Sequence, residues 1–246
     1  MYVCSYSNLC ERKGVGLAFK EIFKRVEKKY ILSAEQYEAL MPIINEYMRG
    51  DEYGESTICN IYYDTPDSVL IRRSLDKPVY KEKLRLRTYG VPKDDTTAFV
   101  EIKKKYNGIV YKRRISMKYK DAIEFTCNRV MPAKDSQIAR EIMWVLNYYK
   151  GIAPSTVLSY DRTAYFAKDD PNLRITFDKN LYWRDWDLDL RLGVYGNSIL
   201  PDGMRLMEVK IPDAMPLWLA HKFDELKIFP TSFSKYGKAY QTKLGD

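Results

Sequence analysis

Charged and apolar residues alternate along residues 80–90 and again along residues 99–117. Because successive side chains of a strand point to opposite sides of a sheet, this alternation predicts strands with one charged and one apolar face. In the first stretch Lys83, Arg85 and Arg87 share a face, and the leucines between them share the other.

The dipeptide Asn-Gly at positions 107–108 interrupts the second stretch and is a strong signal for a hairpin with a two-residue type I′ turn. Such a turn places Lys103 opposite Lys112 and Glu101 opposite Arg114. Like charges directly opposite each other destabilise a sheet, so the convergence of cations needs a compensating ligand. The hairpin therefore predicts a surface that binds a polyanion.

The rest of the chain shows both helical and strand patterns. Ser33 and Gln36 form a capping box at the start of a helix in which Pro42 is expected to produce a kink or a restart. Thr65-Pro66 predicts the N-cap and first residue of a second helix. The predicted helices span about residues 33–48, 65–75, 120–125, 136–150 and 216–226. Further strands are predicted within residues 19–31, 56–64, 157–166 (VLSYDRTAYF), 173–178 (LRITFD) and 205–211 (RLMEVKI).

The predicted strands outnumber the helices, and no repeat or low-complexity linker divides the chain. We therefore expect one α+β domain over residues 19–246, preceded by a polar extension at residues 1–18 that can be disordered. An ordinary antiparallel sheet solvates its polar face, but here that face is rich in arginine and lysine rather than serine or threonine. A closed or nearly closed antiparallel barrel with helices outside and a cationic lumen explains this composition. Such a lumen suits a condensed phosphate chain.

The formal net charge of +8 and pI of about 9.1 imply an acidic partner, such as nucleic acid, a membrane surface or a phosphate compound. The four cysteines are scattered without a CxxC motif, as expected of reduced thiols in a cytoplasmic protein. No run of 18 apolar residues predicts a transmembrane helix. The single histidine, His221, is assigned a surface or packing role.

Seven motifs follow one another along the chain: RxExK at residues 25–29, RLR at 85–87, ExK at 101–103, and then YDR, LRI, LMEVK and SFSKYG. Their set and order resemble the polyphosphate-polymerase (VTC) domain of the vacuolar transporter chaperone complex, a member of the triphosphate tunnel metalloenzyme (CYTH-like) superfamily. The resemblance covers about residues 24–240 and implies an antiparallel tunnel barrel of about eight strands. The broader superfamily has ExExK where this chain has Arg25, so one carboxylate of a two-metal hydrolytic site is missing.

The resemblance also implies a role for each matching residue. Catalytic contacts to nucleotide or chain phosphates would come from Arg85, Arg87, Lys103, Arg162 and Arg174. Further phosphate contacts would come from Lys29, Lys83, Lys112, Arg114, Lys210 and Lys235. Glu208 would ligate Mn²⁺ or Mg²⁺, with Glu27 and Glu101 as additional carboxylates.

The activity implied is metal-dependent transfer of the γ-phosphate of ATP to a growing inorganic polyphosphate chain, with a membrane protein as a candidate partner for product export. A phosphate acceptor is already deprotonated, so no general base is required, which agrees with the single histidine. A Walker A motif is absent from the sequence. Two alternatives stay open: a tripolyphosphate or nucleoside triphosphate hydrolase, and a non-catalytic module that binds polyphosphate or RNA. RNA is the less expected ligand, because Arg85 and Arg87 alternate with leucine rather than with aromatic residues.

Overall fold

The computed structural model describes residues 26–76, 78–211 and 214–245, and the predicted extension at residues 1–18 lies outside them. Ten strands form a single antiparallel sheet. They are β1 (Val26–Leu32), β2 (Met48–Gly50), β3 (Ser56–Asp64), β4 (Tyr80–Tyr89), β5 (Thr97–Tyr106), β6 (Ile109–Lys118), β7 (Ala153–Ala167), β8 (Arg174–Arg184), β9 (Asn197–Ser198) and β10 (Arg205–Ile211). The helices are α1 (Ala34–Tyr47), α2 (Val69–Leu75), α3 (Tyr119–Cys127), α4 (Gln137–Tyr148), α5 (Leu217–Glu225) and α6 (Lys235–Leu244).

The main path of the sheet runs β1-β10-β8-β7-β3-β4-β5-β6. The sheet curls so far that side chains from both of its edge strands, β1 and β6, line one cavity. In the described ranges no backbone ladder joins these two edges, so the barrel stays open along that seam. The predicted tunnel-type α+β fold is confirmed in its nearly closed form.

The outer, apolar face of the sheet is covered by helices. Over β3 to β6, Leu84, Leu86 and Val100 pack beneath α3 and α4, and over β1, β8 and β10 the sheet packs against α1 and α5. Each such leucine is fully buried and contributes about 1.5–3 kcal/mol of hydrophobic stabilisation. This burial fixes which side of each strand faces the interior.

The inner face is not cationic along its whole length. At one end α6 enters the interior, and Tyr236 and Ala239 pack with Ile58, Leu158 and Leu206 in a buried apolar cluster. The charged residues therefore occupy only the remaining part of the lumen. The alternation predicts a cationic lumen but does not predict this apolar end.

The hairpin prediction is confirmed in its register. Lys103 pairs with Lys112, and Glu101 pairs with Arg114, across the β5–β6 ladder. The two turn residues at positions 107 and 108 both have positive φ, 45° and 83°, as a type I′ turn requires.

Helix α1 begins as predicted, with both hydrogen bonds of the capping box between Ser33 and Gln36 present. Pro42 does not interrupt it, since the helix runs continuously to Tyr47. Pro42 and Glu38 are both exposed, so water can satisfy the Glu38 carbonyl that the proline leaves without a donor.

Helix α2 starts at Val69, three residues after the predicted first residue Pro66, while its end at Leu75 agrees. Thr65 still acts as a cap, because its Oγ1 accepts from Val69 N at 3.0 Å. The buried Asp64 adds acceptors for Leu70 N and Ile71 N at 2.8 and 3.0 Å. The side chains of Asp64 and Thr65 therefore cap the helix from before a turn at residues 66–68, and Pro66 lies in that turn rather than at the first helical position.

Candidate functional site

The cavity inside the curled sheet has a volume of about 210 Å³ and is lined by seven strands and the start of α6. Its lining holds nine lysine and arginine side chains against three glutamates, which are Lys29, Lys83, Arg85, Arg87, Lys103, Lys112, Arg162, Lys210 and Lys235, with Glu27, Glu101 and Glu208. An excess of cations on this scale, in a confined space, is the chemistry of an anion site.

One group of charges surrounds Glu101 on β5, whose side chain is 1% exposed. Arg85 donates to Glu101 Oε2 from Nε at 2.6 Å, and Lys112 Nζ lies 2.8 Å from Oε1. Arg87 Nε is 4.0 Å from the same carboxylate and donates to Asn60 Oδ1 at 2.9 Å. Burial raises the pKa of Glu101, but the three cations outweigh it and hold that pKa at about 2.

A second group lies deeper and joins three strands to α6. Lys235 Nζ is 2.6 Å from Asp178 and 2.9 Å from Glu208. Arg162 donates to both Asp178 oxygens at 2.6 and 2.7 Å and reaches Glu208 at 3.4 Å. Burial lowers the pKa of Lys235, but the two carboxylates outweigh it and raise that pKa above its ordinary value. Burial likewise raises the pKa of Glu208, while Lys235, Lys29 and Arg162 hold it well below the ordinary range.

The segment before α6 runs along the free edge of β1. Thr231 N donates to Lys29 O at 2.7 Å, and Lys29 Nζ donates to Phe233 O at 2.9 Å. On the other side, Lys83 Nζ of β4 donates to Ser234 Oγ at 3.1 Å. The C-terminal segment thus links an edge strand to the middle of the sheet and carries Lys235 into the cavity.

The lining lysines Lys83 and Lys210 both have a pKa below the ordinary value for lysine. Burial lowers the pKa of Lys83 to about 8, and Lys103, Lys81 and Lys29 act in the same direction against Tyr62. Burial also lowers the pKa of Lys210, even though Glu27 lies 3.8 Å away. These lowered values reflect cations crowded into a confined volume, a state that an anionic ligand relieves.

The structure brings twelve of the fourteen predicted site residues to the cavity lining. The two others, Arg114 and Arg174, lie on the same face of the sheet but farther along it. The guanidinium of Arg114 lies 4.9 Å from the Phe99 ring centroid, and that of Arg174 lies 4.8 Å from the Phe166 ring centroid. Period-two alternation assigns residues to a face but does not tell how far along the lumen each one lies.

Five contributors were not predicted, namely Asp178 beneath the cavity and Tyr62, Tyr160, Ser234 and Tyr236 in its lining. Asp178 and Tyr160 sit inside the LRITFD and YDR stretches, so strand alternation offers a signal for both. Tyr236 depends on α6, a helix that sequence periodicity did not predict. The lining also includes aromatic residues, all of them on elements other than the strand that carries the RLR motif. Their ring faces are engaged, because Tyr62 stacks on Tyr236 with centroids 4.5 Å apart.

The carboxylates offer limited room for a divalent metal. Lys29 Nζ lies between Glu27 and Glu208, at 3.7 and 3.5 Å, so these two predicted ligands are neighbours. The third predicted ligand, Glu101, belongs to the other charge group. Among the residues that the structure describes, no three His, Cys, Asp or Glu side chains could hold a metal ion together. A site for Mg²⁺ or Mn²⁺ here would therefore have one or two protein carboxylates, with the phosphates of a ligand supplying further oxygens.

The described part of the chain contains no helix long and apolar enough to cross a membrane. The two cysteines within it, Cys59 and Cys127, are free thiols. His221 is exposed on α5 and is absent from the cavity lining.

Comparison with known proteins gives one family match and several structural neighbours. The VTC domain family model matches residues 24–244. No curated protein sequence matches the chain. A protein from Hippeastrum, named as an adenylyl cyclase with a dominant triphosphatase activity, has a TM-score of 0.55 at 15% identity, with 86% of this chain and 93% of that chain covered. A protein from Bacillus halodurans named as an adenylate cyclase has a TM-score of 0.52 at 12% identity, with 85% and 93% covered. At these identities the two structures establish a shared fold.

Proposed function

Because the chain belongs to the VTC domain family, we propose that its cavity binds inorganic polyphosphate and extends it with the γ-phosphate of ATP. The observation that carries the proposal is the convergence of nine lysine and arginine side chains on one cavity with only three glutamates in its lining. A condensed phosphate chain carries about one negative charge on each unit and can neutralise this excess.

The proposed transfer relies on positioning and charge neutralisation. The γ-phosphoryl group leaves ADP and joins a terminal oxygen of the chain, which is already deprotonated. Arg85 and Arg87 would hold the transferring phosphoryl group with planar N–H donors that their carboxylate and amide partners already orient. Lys103 and Lys112, paired across the hairpin, would bind the chain as point charges.

A divalent metal, Mn²⁺ or Mg²⁺, would be held by Glu208 and Glu27 together with the phosphates. When bound, it would neutralise charge on the phosphate oxygens. Binding there requires Lys29 to move from between the two carboxylates. A membrane protein that carries the product away remains part of the proposal as a candidate partner.

Hydrolysis of tripolyphosphate or nucleoside triphosphates is the second candidate, in which a carboxylate or a lysine of the lining would accept a proton from the attacking water. The Hippeastrum neighbour, which shares the fold, is named for its triphosphatase activity.

The product formed from ATP and Mn²⁺ separates these candidates. Long phosphate chains resolved on a gel would support the polymerase, and orthophosphate alone would support the hydrolase. If neither product forms, the non-catalytic binding module is the alternative that is left. The matched variants are Arg85→Ala and Arg114→Ala, since both arginines lie on the same face but only Arg85 lines the cavity. We expect Arg85→Ala to abolish turnover and Arg114→Ala to retain most of it. Equal loss in both variants would contradict the placement of the site.

A further inference from the structure

The tip of the β5–β6 hairpin presents large apolar side chains to solvent. Asn107 N in the turn donates to Val79 O at 3.0 Å, which holds the residues before β4 beside the tip. The exposed fractions are 56% for Tyr106, 58% for Ile109, 48% for Val110, 51% for Tyr111 and 67% for Val79. We call these five residues the hairpin tip.

The apolar surface continues from the hairpin tip towards α4. Tyr80 pairs with Tyr106 across the β4–β5 ladder, so both side chains lie on the outer face of the sheet. On α4, Trp144 and Tyr148 stack with ring centroids 4.7 Å apart and are 56% and 59% exposed. Exposed apolar residues gathered in this way, rather than scattered singly, mark an interaction surface.

Cations border the hairpin tip. Lys105 pairs directly with Val110, and in the described part of the chain no carboxylate lies within 4.0 Å of its amine. The neighbouring Lys104 and Arg113 share a single carboxylate, that of Glu141, at 2.7 and 3.3 Å. The surface around the tip is therefore both apolar and positively charged.

We propose that the hairpin tip binds the surface of a lipid bilayer that contains anionic headgroups. Tyrosine and tryptophan prefer the interface between headgroups and acyl chains, where an apolar ring and a polar group are both accommodated. Basic side chains next to them are attracted by anionic lipids within about a Debye length. A protein partner would also bury apolar residues, but lysine is depleted in protein interfaces, so the combination favours the bilayer.

The hairpin tip is distinct from the cavity, since none of its five residues lines it. The cavity opens close by, because the Lys105–Val110 pair is followed two residues further by the Lys103–Lys112 pair that lines it. Anionic lipid could therefore also contact the cavity mouth. A test must keep the cavity filled, so that only the tip is free to bind.

The test is cosedimentation of the protein with vesicles in the presence of saturating tripolyphosphate. One set of vesicles is phosphatidylcholine alone, and the other contains phosphatidylserine as well. The variant is the pair Ile109→Ser and Val110→Ser, which leaves the Asn-Gly turn intact. The matched control is the pair Leu217→Ser and Phe229→Ser, since these residues are 74% and 67% exposed elsewhere on the surface.

We expect binding to phosphatidylserine vesicles that weakens by about tenfold or more in the hairpin variant, because two apolar side chains lose their transfer from water. The control variant should bind like the unchanged protein, and binding should fall with added salt. Equal binding by the hairpin variant, equal binding to the two vesicle types, or no binding at all would overturn the proposal. Concentration-dependent dimerisation lost in the hairpin variant, without vesicle binding, would assign the tip to a second copy of the chain instead.

Discussion

Replacing Glu101 with glutamine tests the electrostatic structure of the cavity most directly. The carboxylate is almost fully buried and contacts Arg85 and Lys112 at 2.6 and 2.8 Å. Glutamine keeps the size of the side chain and removes its charge. The variant then leaves cations facing one another without a counter-charge, so the folded state should lose stability.

The size of the loss follows from the pKa of Glu101. Although burial raises that pKa, Arg85, Arg87 and Lys112 lower it from 4.5 to about 2. A difference of this size corresponds to about 3 kcal/mol of folding free energy. Because the folded-state pKa is depressed, this stabilisation is present above the unfolded pKa and is lost as pH falls towards the folded pKa. We expect Glu101→Gln to lower the free energy of unfolding by about 3 kcal/mol at neutral pH and progressively less below pH 4.5.

Urea denaturation measured from neutral pH down to about pH 3 checks this expectation. The control is Glu141→Gln, whose carboxylate contacts Lys104 and Arg113 but is 24% exposed. That partly exposed pair should contribute less than about 1 kcal/mol. A destabilisation by Glu101→Gln that does not change with pH would refute the electrostatic account, as would an equal effect of Glu141→Gln.

Three further expectations concern ligand and proton binding. Tripolyphosphate should raise the melting temperature by relieving repulsion among the lining cations, equivalent to about 2.7 kcal/mol at one hundred times its Kd, and no shift at millimolar ligand would count against an anion site. Glu208→Gln should reduce Mn²⁺-dependent turnover more than polyphosphate affinity, because it removes a candidate ligand while making the cavity more cationic; equal losses would undermine the metal assignment. Binding of tripolyphosphate should take up protons above about pH 8, because the anion restores the lowered pKa of Lys83. Calorimetry in buffers of different ionisation enthalpy measures that uptake, and an uptake that is undiminished in Lys83→Met would contradict the assignment.

The hairpin shows what the sequence determines well. Its register depends on two local features, a two-residue turn that needs positive φ at both positions and a strict alternation of charged and apolar residues. A slip of one residue would turn Val100 and Ile102, which are almost fully buried, to the lumen. Local turn chemistry and hydrophobic burial therefore select the same pairing, which is why Lys103 and Lys112 could be placed opposite each other in advance.

Distances along the lumen were harder to predict, because they depend on how neighbouring strands are staggered. Arg162 and Arg174 have similar sequence patterns, each in a strand with charged residues on one face. The ladder nevertheless pairs Arg162 with Asp178 and sets Arg174 beside Phe166. A β-bulge between Ser159 and Asp161 shifts another part of this ladder, the pairing of residues 157–159 with residues 182–184, and the sequence carries no clear signal for it. The unpredicted helix α6 adds a second displacement, since its Lys235 occupies the centre of the deeper charge group.

The two charge groups also explain why the cavity can tolerate its own cations before a ligand binds. Burial of unpaired charges would cost several kcal/mol for each ion, so a lumen of nine cations requires internal counter-charges. Glu101 is the counter-charge of the arginines of β4, while Asp178 and Glu208 are the counter-charges of Arg162 and Lys235. These pairs hold the arginine guanidinium groups in fixed orientations. The lowered pKa of Lys83 reduces the free-energy cost of burying its amine, because part of the population is uncharged. The carboxylates thus hold the cations in place for an anionic ligand, although they also compete with that ligand for the same cations. A ligand with several negative charges is favoured because it can contact several of these cations at once.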